Sequence, residues 1–215
     1  MSYKRLIYTL LLICITVSFS YICNVYGETA EDHFKRGVGF YKNGNYDQAI
    51  NEYNLAVSID PKHDVTYYNR GIAYAMKGDL EQAIKDYDKA VEINPNYSKA
   101  YINRGSAYFH KNNLEQALSD FDKALKINPD NFKAHTYRGN VLITQGKIDQ
   151  ALADFDIAVK INPNYADAYA ARALAYFLNK TYDKSWEDVH RAELLGFKIK
   201  PDFLEMLKVK SGKGK

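Results

Sequence analysis

Apolar residues in this chain recur at the three- and four-residue spacing of amphipathic helices, in segments that come in pairs. The segment containing Tyr67, Gly71 and Tyr74 has this spacing, and the segment Leu80–Val91 follows with the same spacing. Gly78 lies between them, and glycine tolerates the left-handed conformation that ends many helices. Because the connection is short, the pattern predicts two antiparallel helices that pack against each other.

The helix pair returns along the chain with a period of 34 residues. Its first half carries the words HFKRGVGF, YYNRGIAY, YINRGSAY, HTYRGNVL and YAARALAY, and prolines close the first four copies at positions 61, 95, 129 and 163. We therefore divide the chain into a leader, five units and a final segment. These are residues 1–27, 30–63, 64–97, 98–131, 132–165, 166–199 and 200–215.

Small residues recur on both helices of each unit. They are Gly37, Gly71, Gly105 and Gly139 in the first helices, and Ala49, Ala83, Ala117 and Ala151 in the second helices. Glycine inside a helix costs about 1 kcal/mol relative to alanine. Close packing of the two helix backbones would offset that cost, so we expect the small residues to lie at the contact.

The period, the small residue eight positions into each unit, the aromatic residue three positions later and the closing proline resemble the tetratricopeptide repeat. This resemblance covers Ala30 to about Ile199. It implies an all-α, right-handed superhelical solenoid of about five antiparallel helix pairs. The fifth unit departs from the pattern at Ala173, Ser185, Val189 and Phe197, as terminal repeats often do. Residues 201–208 read as a further helix that caps the solenoid, followed by a basic tail.

Every unit has an arginine at one place in its first helix and an acid at one place in its second helix. The arginines are Arg36, Arg70, Arg104, Arg138 and Arg172, and the acids are Glu52, Asp86, Asp120, Asp154 and Asp188. Recurrence in all five units favours a packing role, so we predict a ladder of partly buried ion pairs within or between units. A row of ligand-binding arginines is the alternative.

In the tetratricopeptide family, the first helices line a concave surface that binds protein segments. The corresponding face here predicts a groove whose candidate binding residues are Phe34, Val38, Tyr41, Tyr68, Ile72, Lys99, Ile102, Phe109, His110, Lys133 and Asn140. About half of the aromatic residues on this face could instead pack one unit against the next. The Lys/Asn/Arg clamp that some family members use for chaperone tails is matched here only by Asn69 and Lys99, which argues against such a ligand.

The leader has a basic start at Lys4 and Arg5, an apolar run from Leu6 to Phe19, and small residues before Glu28. This order is typical of a secretory signal peptide cleaved between Gly27 and Glu28. Such cleavage predicts a secreted or periplasmic protein. The alternative is an uncleaved anchor from Leu6 to Tyr26, which would tether the protein with its repeats outside the cytoplasm. Both cysteines of the sequence fall in this leader, so the remainder can form no disulfide.

The sequence contains no recognisable catalytic motif. The five histidines form no HExxH pair and no tight cluster, and there is no phosphate-binding Gly-Lys-Ser/Thr loop. Residues 28–197 are weakly acidic in sum, which argues against nucleic acid as a partner. We therefore expect a non-catalytic scaffold for a peptide or helix, with no cofactor and no metal. A membrane-anchored envelope assembly factor and a component of an envelope enzyme system are the alternatives.

Overall fold

The computed structural model describes residues 27–212, which form eleven α-helices and no β-strand. All of the leader before Gly27 and the last three residues lie outside the described part of the chain. The helices are α1 (Ala30–Lys42), α2 (Tyr46–Ile59), α3 (Asp64–Met76), α4 (Leu80–Ile93), α5 (Ser98–His110), α6 (Leu114–Ile127), α7 (Phe132–Thr144), α8 (Ile148–Ile161), α9 (Ala166–Leu178), α10 (Tyr182–Leu194) and α11 (Pro201–Ser211).

Local sequence explains where the helices begin and end. Thr29 starts α1 with a capping box, in which its hydroxyl accepts from the amide of Asp32 while the Asp32 carboxylate accepts from the amide of Thr29. Gly78 follows α3 with φ +83°, and Asn112 takes the corresponding left-handed conformation after α5 with φ +58°. Glycine and asparagine tolerate this conformation best, so the first helices of the first four hairpins end where the sequence predicts. After α9 the same conformation is taken by Lys180, with φ +59°, which the sequence did not indicate.

The helices pack as five antiparallel hairpins, each made of two helices that follow one another in the chain. The first hairpin is α1 with α2, and the fifth is α9 with α10. The second helix of each hairpin also packs against the first helix of the next, so the hairpins stack into a solenoid. The predicted all-α solenoid of helix pairs with a C-terminal capping helix is thereby confirmed.

Glycine and an aromatic ring meet inside each of the first four hairpins. A Cβ atom at Gly71 would lie 2.7 Å from Cε1 of Tyr87 and 3.2 Å from the carbonyl oxygen of Ala83. A Cβ atom at Gly139 would lie 2.6 Å from Cε1 of Phe155. These distances are shorter than carbon atoms tolerate, so only glycine lets the ring reach the first helix.

The fifth hairpin fills the same space with different residues. Ala173 replaces the glycine and Val189 replaces the aromatic ring, and both are fully buried. The hydroxyl of Ser185 donates to the carbonyl oxygen of Ala173 at 2.8 Å, so the two helices stay close. Helix α11 then covers this hairpin, with Leu207 in one apolar cluster with Ala173 and Val189. Helix α9 thus carries a larger residue at this contact than the other first helices do, and α10 carries a smaller residue than the other second helices do.

Candidate functional site

The first helices of the hairpins line one side of the solenoid. Successive first helices contact one another: α1 with α3, α3 with α5, α5 with α7, and α7 with α9. The second helices lie farther apart and reach the neighbouring hairpin mainly through its first helix. Because the first helices are the closer set, their free face forms the inner side of the curve.

At the amino-terminal end, the predicted groove residues are half-buried and partly engaged in packing. They are Phe34, Val38, Tyr41, Tyr68 and Ile72. The ring of Phe34 lies 5.4 Å from that of His63. The ring of Tyr68 lies 4.9 Å from that of Tyr97, and the Tyr68 hydroxyl accepts a hydrogen bond from the Asn103 amide at 3.3 Å. These side chains therefore join neighbouring hairpins while leaving part of their surface open.

Three predicted groove residues meet in the middle of the inner face. Phe109, His110 and Asn140 line one small cavity of about 160 Å³, together with Tyr137 and Phe121. Lys99 and Lys133 are exposed at the amino-terminal ends of α5 and α7. The structure thus brings residues from two neighbouring first helices to the same place.

Ile102 does not lie on the groove surface. Its side chain is only 7% exposed and belongs to a core cluster with Phe121, Leu125 and Val141. Leu125 comes from the second helix of the same hairpin and Val141 from the next hairpin, so Ile102 is covered from both sides. The structure therefore places Ile102 in the core, where it joins two hairpins, and not among the exposed groove residues.

A larger cavity, of about 550 Å³, lies at the carboxyl-terminal end of the inner face. Helices α7 and α9 form one wall, and the segment that leads into α11 forms the other. Its apolar lining consists of Tyr137, Tyr165, Ala170, Ala171, Leu174, Phe197, Ile199, Phe203 and Met206. Of the residues that the sequence predicted for the groove, only Asn140 lies here. Leu174 follows Asn140 by 34 residues, so the period could have identified it, whereas the wall from 197 to 206 follows no repeat pattern.

The constant spacing of arginine and acid produces a direct contact inside each hairpin. In the last four hairpins, Nε and Nη2 of the arginine donate to both carboxylate oxygens of its acid at 2.6–2.8 Å. The pairs are Arg70–Asp86, Arg104–Asp120, Arg138–Asp154 and Arg172–Asp188. In the first hairpin, Nε of Arg36 donates to Glu52 at 3.0 Å. Each pair joins the first helix to the second.

The same arginines also reach the preceding hairpin. Nη1 of Arg104 donates to Asp88 at 2.5 Å, and Nη1 of Arg138 donates to Asp122 at 2.6 Å. Arg172 and Asp156 repeat this contact between the last two hairpins. In the part of the chain that the structure describes, Arg36 has no preceding hairpin, and it donates instead to Glu28, just before α1. Its Nη1 and Nη2 lie 2.9 and 2.7 Å from the two carboxylate oxygens of Glu28. We call these second contacts of the arginines the outer contacts. The guanidinium groups are thus occupied by structural contacts, which disfavours the alternative of a ligand-binding row.

A histidine alters this arrangement in the fourth hairpin. Nδ1 of His135 lies 2.9 Å from Oδ1 of Asp154, while the third hairpin instead places the ring of Tyr101 5.3 Å from the guanidinium of Arg104. Burial would raise the pKa of Asp154, but the hydrogen bonds from Arg138 and His135 outweigh it, so this pKa lies below its ordinary value. The extra donor therefore stabilises the carboxylate.

The described part of the chain offers two further observations. Among residues 27–212, no three His, Cys, Asp or Glu side chains come together as a metal-binding group. None of the helices in those residues combines the length and the hydropathy that crossing a bilayer requires.

Models of the tetratricopeptide repeat match this sequence over residues 65–97 and 98–131, and a second such model matches residues 121–153. A model named TPR repeat matches residues 37–78 and 139–180. Together these matches run without a gap from residue 37 to residue 180. A search of curated proteins gives no match.

Solved structures show the same architecture. The first TPR of Spaghetti (RPAP3), bound to the HSP90 peptide SRMEEVD, is 32% identical, with a TM-score of 0.54; the match covers 55% of this chain and 94% of that one. MamA is 25% identical, with a TM-score of 0.68 and coverages of 74% and 94%. YrrB, described as a TPR protein with an unusual peptide-binding site, is 21% identical, with a TM-score of 0.68 and coverages of 91% and 97%.

The repeat models, the 32% identity to a tetratricopeptide domain and the stacked hairpins agree with one another. This fold is known as a scaffold for protein–protein interaction. The chain belongs to the tetratricopeptide-repeat family.

Proposed function

We propose that this protein is a non-catalytic scaffold that binds a segment of another protein along its inner face. The observation that carries the proposal is the pair of cavities along the first helices, of about 160 and 550 Å³, lined by aromatic and aliphatic side chains. Cavities of several hundred Å³ with mostly apolar walls are typical of ligand sites. The arginines of the ladder are engaged with structural partners, so we assign binding to the cavity-bearing inner face rather than to the arginines.

The related structures support a protein ligand. YrrB has a peptide-binding site, and the TPR of Spaghetti was solved with a peptide bound. A peptide or a helix docking on apolar side chains between two helices is a common mode of recognition. A protein segment is therefore the class of ligand that we propose for the inner face.

Photo-crosslinking tests this function. A photoreactive amino acid at Tyr68 or Phe109, on the inner face, is compared with the same amino acid at Leu55, which is exposed on a second helix. We expect the inner positions, but not Leu55, to give the same crosslinked protein in cells. Crosslinks of equal yield and identity at all three positions would refute the proposed binding face.

We further propose that the repeats function outside the cytoplasm, after removal of the leader. The leader pattern supports this proposal. A cut after Gly27 would leave Glu28 and its bonds to Arg36 in place. The anchored alternative keeps Leu6 to Tyr26 attached. Mass spectrometry of the protein recovered from cells distinguishes the two: an amino terminus at Glu28 supports cleavage, and the full-length mass supports the anchor.

A further inference from the structure

The cavity at the carboxyl-terminal end differs from the rest of the inner face, because a non-repeating segment closes it. Phe197 and Ile199 precede α11, and Phe203 and Met206 lie on that helix. They face Leu174 on α9 across the cavity. Its volume of about 550 Å³ exceeds what one large side chain fills, and it falls in the range of ligand pockets.

Exposed apolar side chains extend this cavity toward the end of the solenoid. Leu174 is 38% exposed and Met206 is 50% exposed. Met206 also lines an adjoining cavity of about 390 Å³ with Phe177 and Val209. A contiguous apolar surface of this kind usually marks a site for a partner, and an unbranched methionine adapts to different shapes.

The charges around this surface are distributed unevenly. At the cavity itself, Asp167 and Asp202 are balanced by Lys198 and Lys200. Farther along the inner face, helices α5 and α7 contain no acidic residue, and each has an exposed lysine in its first turn.

The two lysines are Lys99 and Lys133, and neither has an ion-pair partner among residues 27–212. Lys133 precedes Tyr137 of the cavity wall by four residues, about 6 Å along the helix axis. The apolar cavity is therefore followed by a positively charged stretch.

We infer that the inner face binds a peptide segment in which a bulky apolar residue is followed by acidic side chains. The apolar residue fills the cavity between α7, α9 and α11, and the acidic side chains pair with Lys133 and then Lys99. This inference rests on the proposed function and adds the chemistry of the bound segment. Apolar burial supplies most of the affinity, and the lysines select the charge and the direction of the segment.

Fluorescence anisotropy with the full chain and three labelled peptides tests the inference. The first peptide carries two leucines and a phenylalanine followed by four glutamates, the second has lysines in place of the glutamates, and the third has serines in place of the apolar residues. All are acetylated and amidated, so a terminal carboxylate cannot account for binding. We expect only the first to bind, with a Kd that rises with added salt.

Variants assign the contacts. Leu174→Asp and Met206→Asp change exposed side chains, so we expect the fold to persist and binding to weaken at least about tenfold. Lys133→Glu should weaken binding of the acidic peptide about tenfold and strengthen binding of the lysine peptide. Leu55→Asp, on an exposed apolar residue far from the cavity, is the matched control and should leave the Kd within about twofold.

Circular dichroism of every variant checks that helicity is retained. Equal affinity for the acidic and lysine peptides would overturn the inference, as would binding that Leu174→Asp and Met206→Asp leave unchanged. Concentration-dependent self-association that these variants abolish, without peptide binding, would assign the surface to a second copy of the chain and would also overturn it. Crosslinking at Tyr68 and Phe109 reports on the proposed function separately, because those residues lie outside this cavity.

Discussion

The first four hairpins and the fifth hairpin have the same backbone arrangement but reach it with different side chains. In the first four, glycine in the first helix meets a tyrosine or phenylalanine of the second. In the fifth, Ala173 meets Val189, and both are buried. The added methyl group of Ala173 on the first helix accompanies a smaller side chain on the second. The contact therefore tolerates more than one pair of residue types, provided that a larger residue on one helix meets a smaller one on the other.

The ion-pair ladder differs between the same two regions. Asp156 bonds to Arg172 of the next hairpin at 2.6 Å, but 34 residues later His190 stands in place of the aspartate and Met206 in place of the arginine. The ladder therefore ends at the fifth hairpin. Met206 lines the large cavity instead, so the end of the ladder coincides with the start of the proposed binding surface.

The largest effect should come from forcing a side chain into a regular hairpin. Gly71→Leu should lower the free energy of unfolding by about 3 kcal/mol, because even its Cβ would lie 2.7 Å from the Tyr87 ring. Gly39→Leu is the control, since nothing lies within 4 Å of its Cβ position. It should be neutral or stabilising through higher helix propensity. Urea denaturation of both variants measures the difference, and equal losses would disprove the close contact.

A second experiment gives the fifth hairpin the packing of the others. Val189→Phe alone should cost about 2 kcal/mol by overpacking, because Ala173 occupies the space that glycine leaves open elsewhere. Adding Ala173→Gly should recover about 1 kcal/mol of that loss, although Ala173→Gly alone destabilises the helix. A double-mutant cycle in urea provides the test, and strictly additive losses would contradict direct packing between the residues at positions 173 and 189.

The stability that the ladder contributes in the fourth and fifth hairpins can be compared through its dependence on pH. Asp154→Asn should cost about 1.5 kcal/mol at neutral pH, because Arg138 and His135 both contact the carboxylate. Its pKa is lowered on folding, so this stabilisation is present above the ordinary value of 3.8 and is lost as pH falls through the folded pKa. The cost of Asp154→Asn should therefore shrink in acid.

The fifth hairpin should show the opposite trend. Burial raises the pKa of Asp188 despite the hydrogen bonds from Arg172, so its contribution is largest at low pH and falls as pH rises through the folded pKa. Chemical denaturation of Asp154→Asn and Asp188→Asn between acid and neutral pH measures how the loss in free energy of unfolding changes with pH for each variant. The same pH dependence for the two variants would show that His135 makes no difference.

The smallest effect should come from the outer contact that joins the two regions. Asp156 is exposed over half of its side chain, and Arg172 keeps Asp188 when this contact is removed. Asp156→Asn should therefore cost less than about 0.5 kcal/mol, and added salt should reduce the cost further. A loss as large as that of Asp154→Asn would show that the outer contacts also stabilise the stack.

The position of the groove residues could be predicted from the sequence only in part. Phe109, His110 and Asn140 share one cavity, as their common face suggests, because helical spacing fixes which residues lie side by side. Ile102 occupies the same repeat place as Tyr68, yet it is buried between Leu125 and Val141. How far a residue at one repeat place is exposed depends on its own size and on the neighbouring hairpins, which the period does not encode.

By itself, the sequence determined the repeating helical hairpins, the close contact at the glycines and the spacing of arginine from acid, because each depends on residues a fixed distance apart in one unit. Only the tertiary structure decided that Arg104 joins two hairpins at once and that Glu28 supplies the outer contact of Arg36. It also decided that the segment from Phe197 to Met206 folds back to close a cavity. These features depend on how successive hairpins rotate against each other, and that rotation follows from packing between units rather than from the pattern within one.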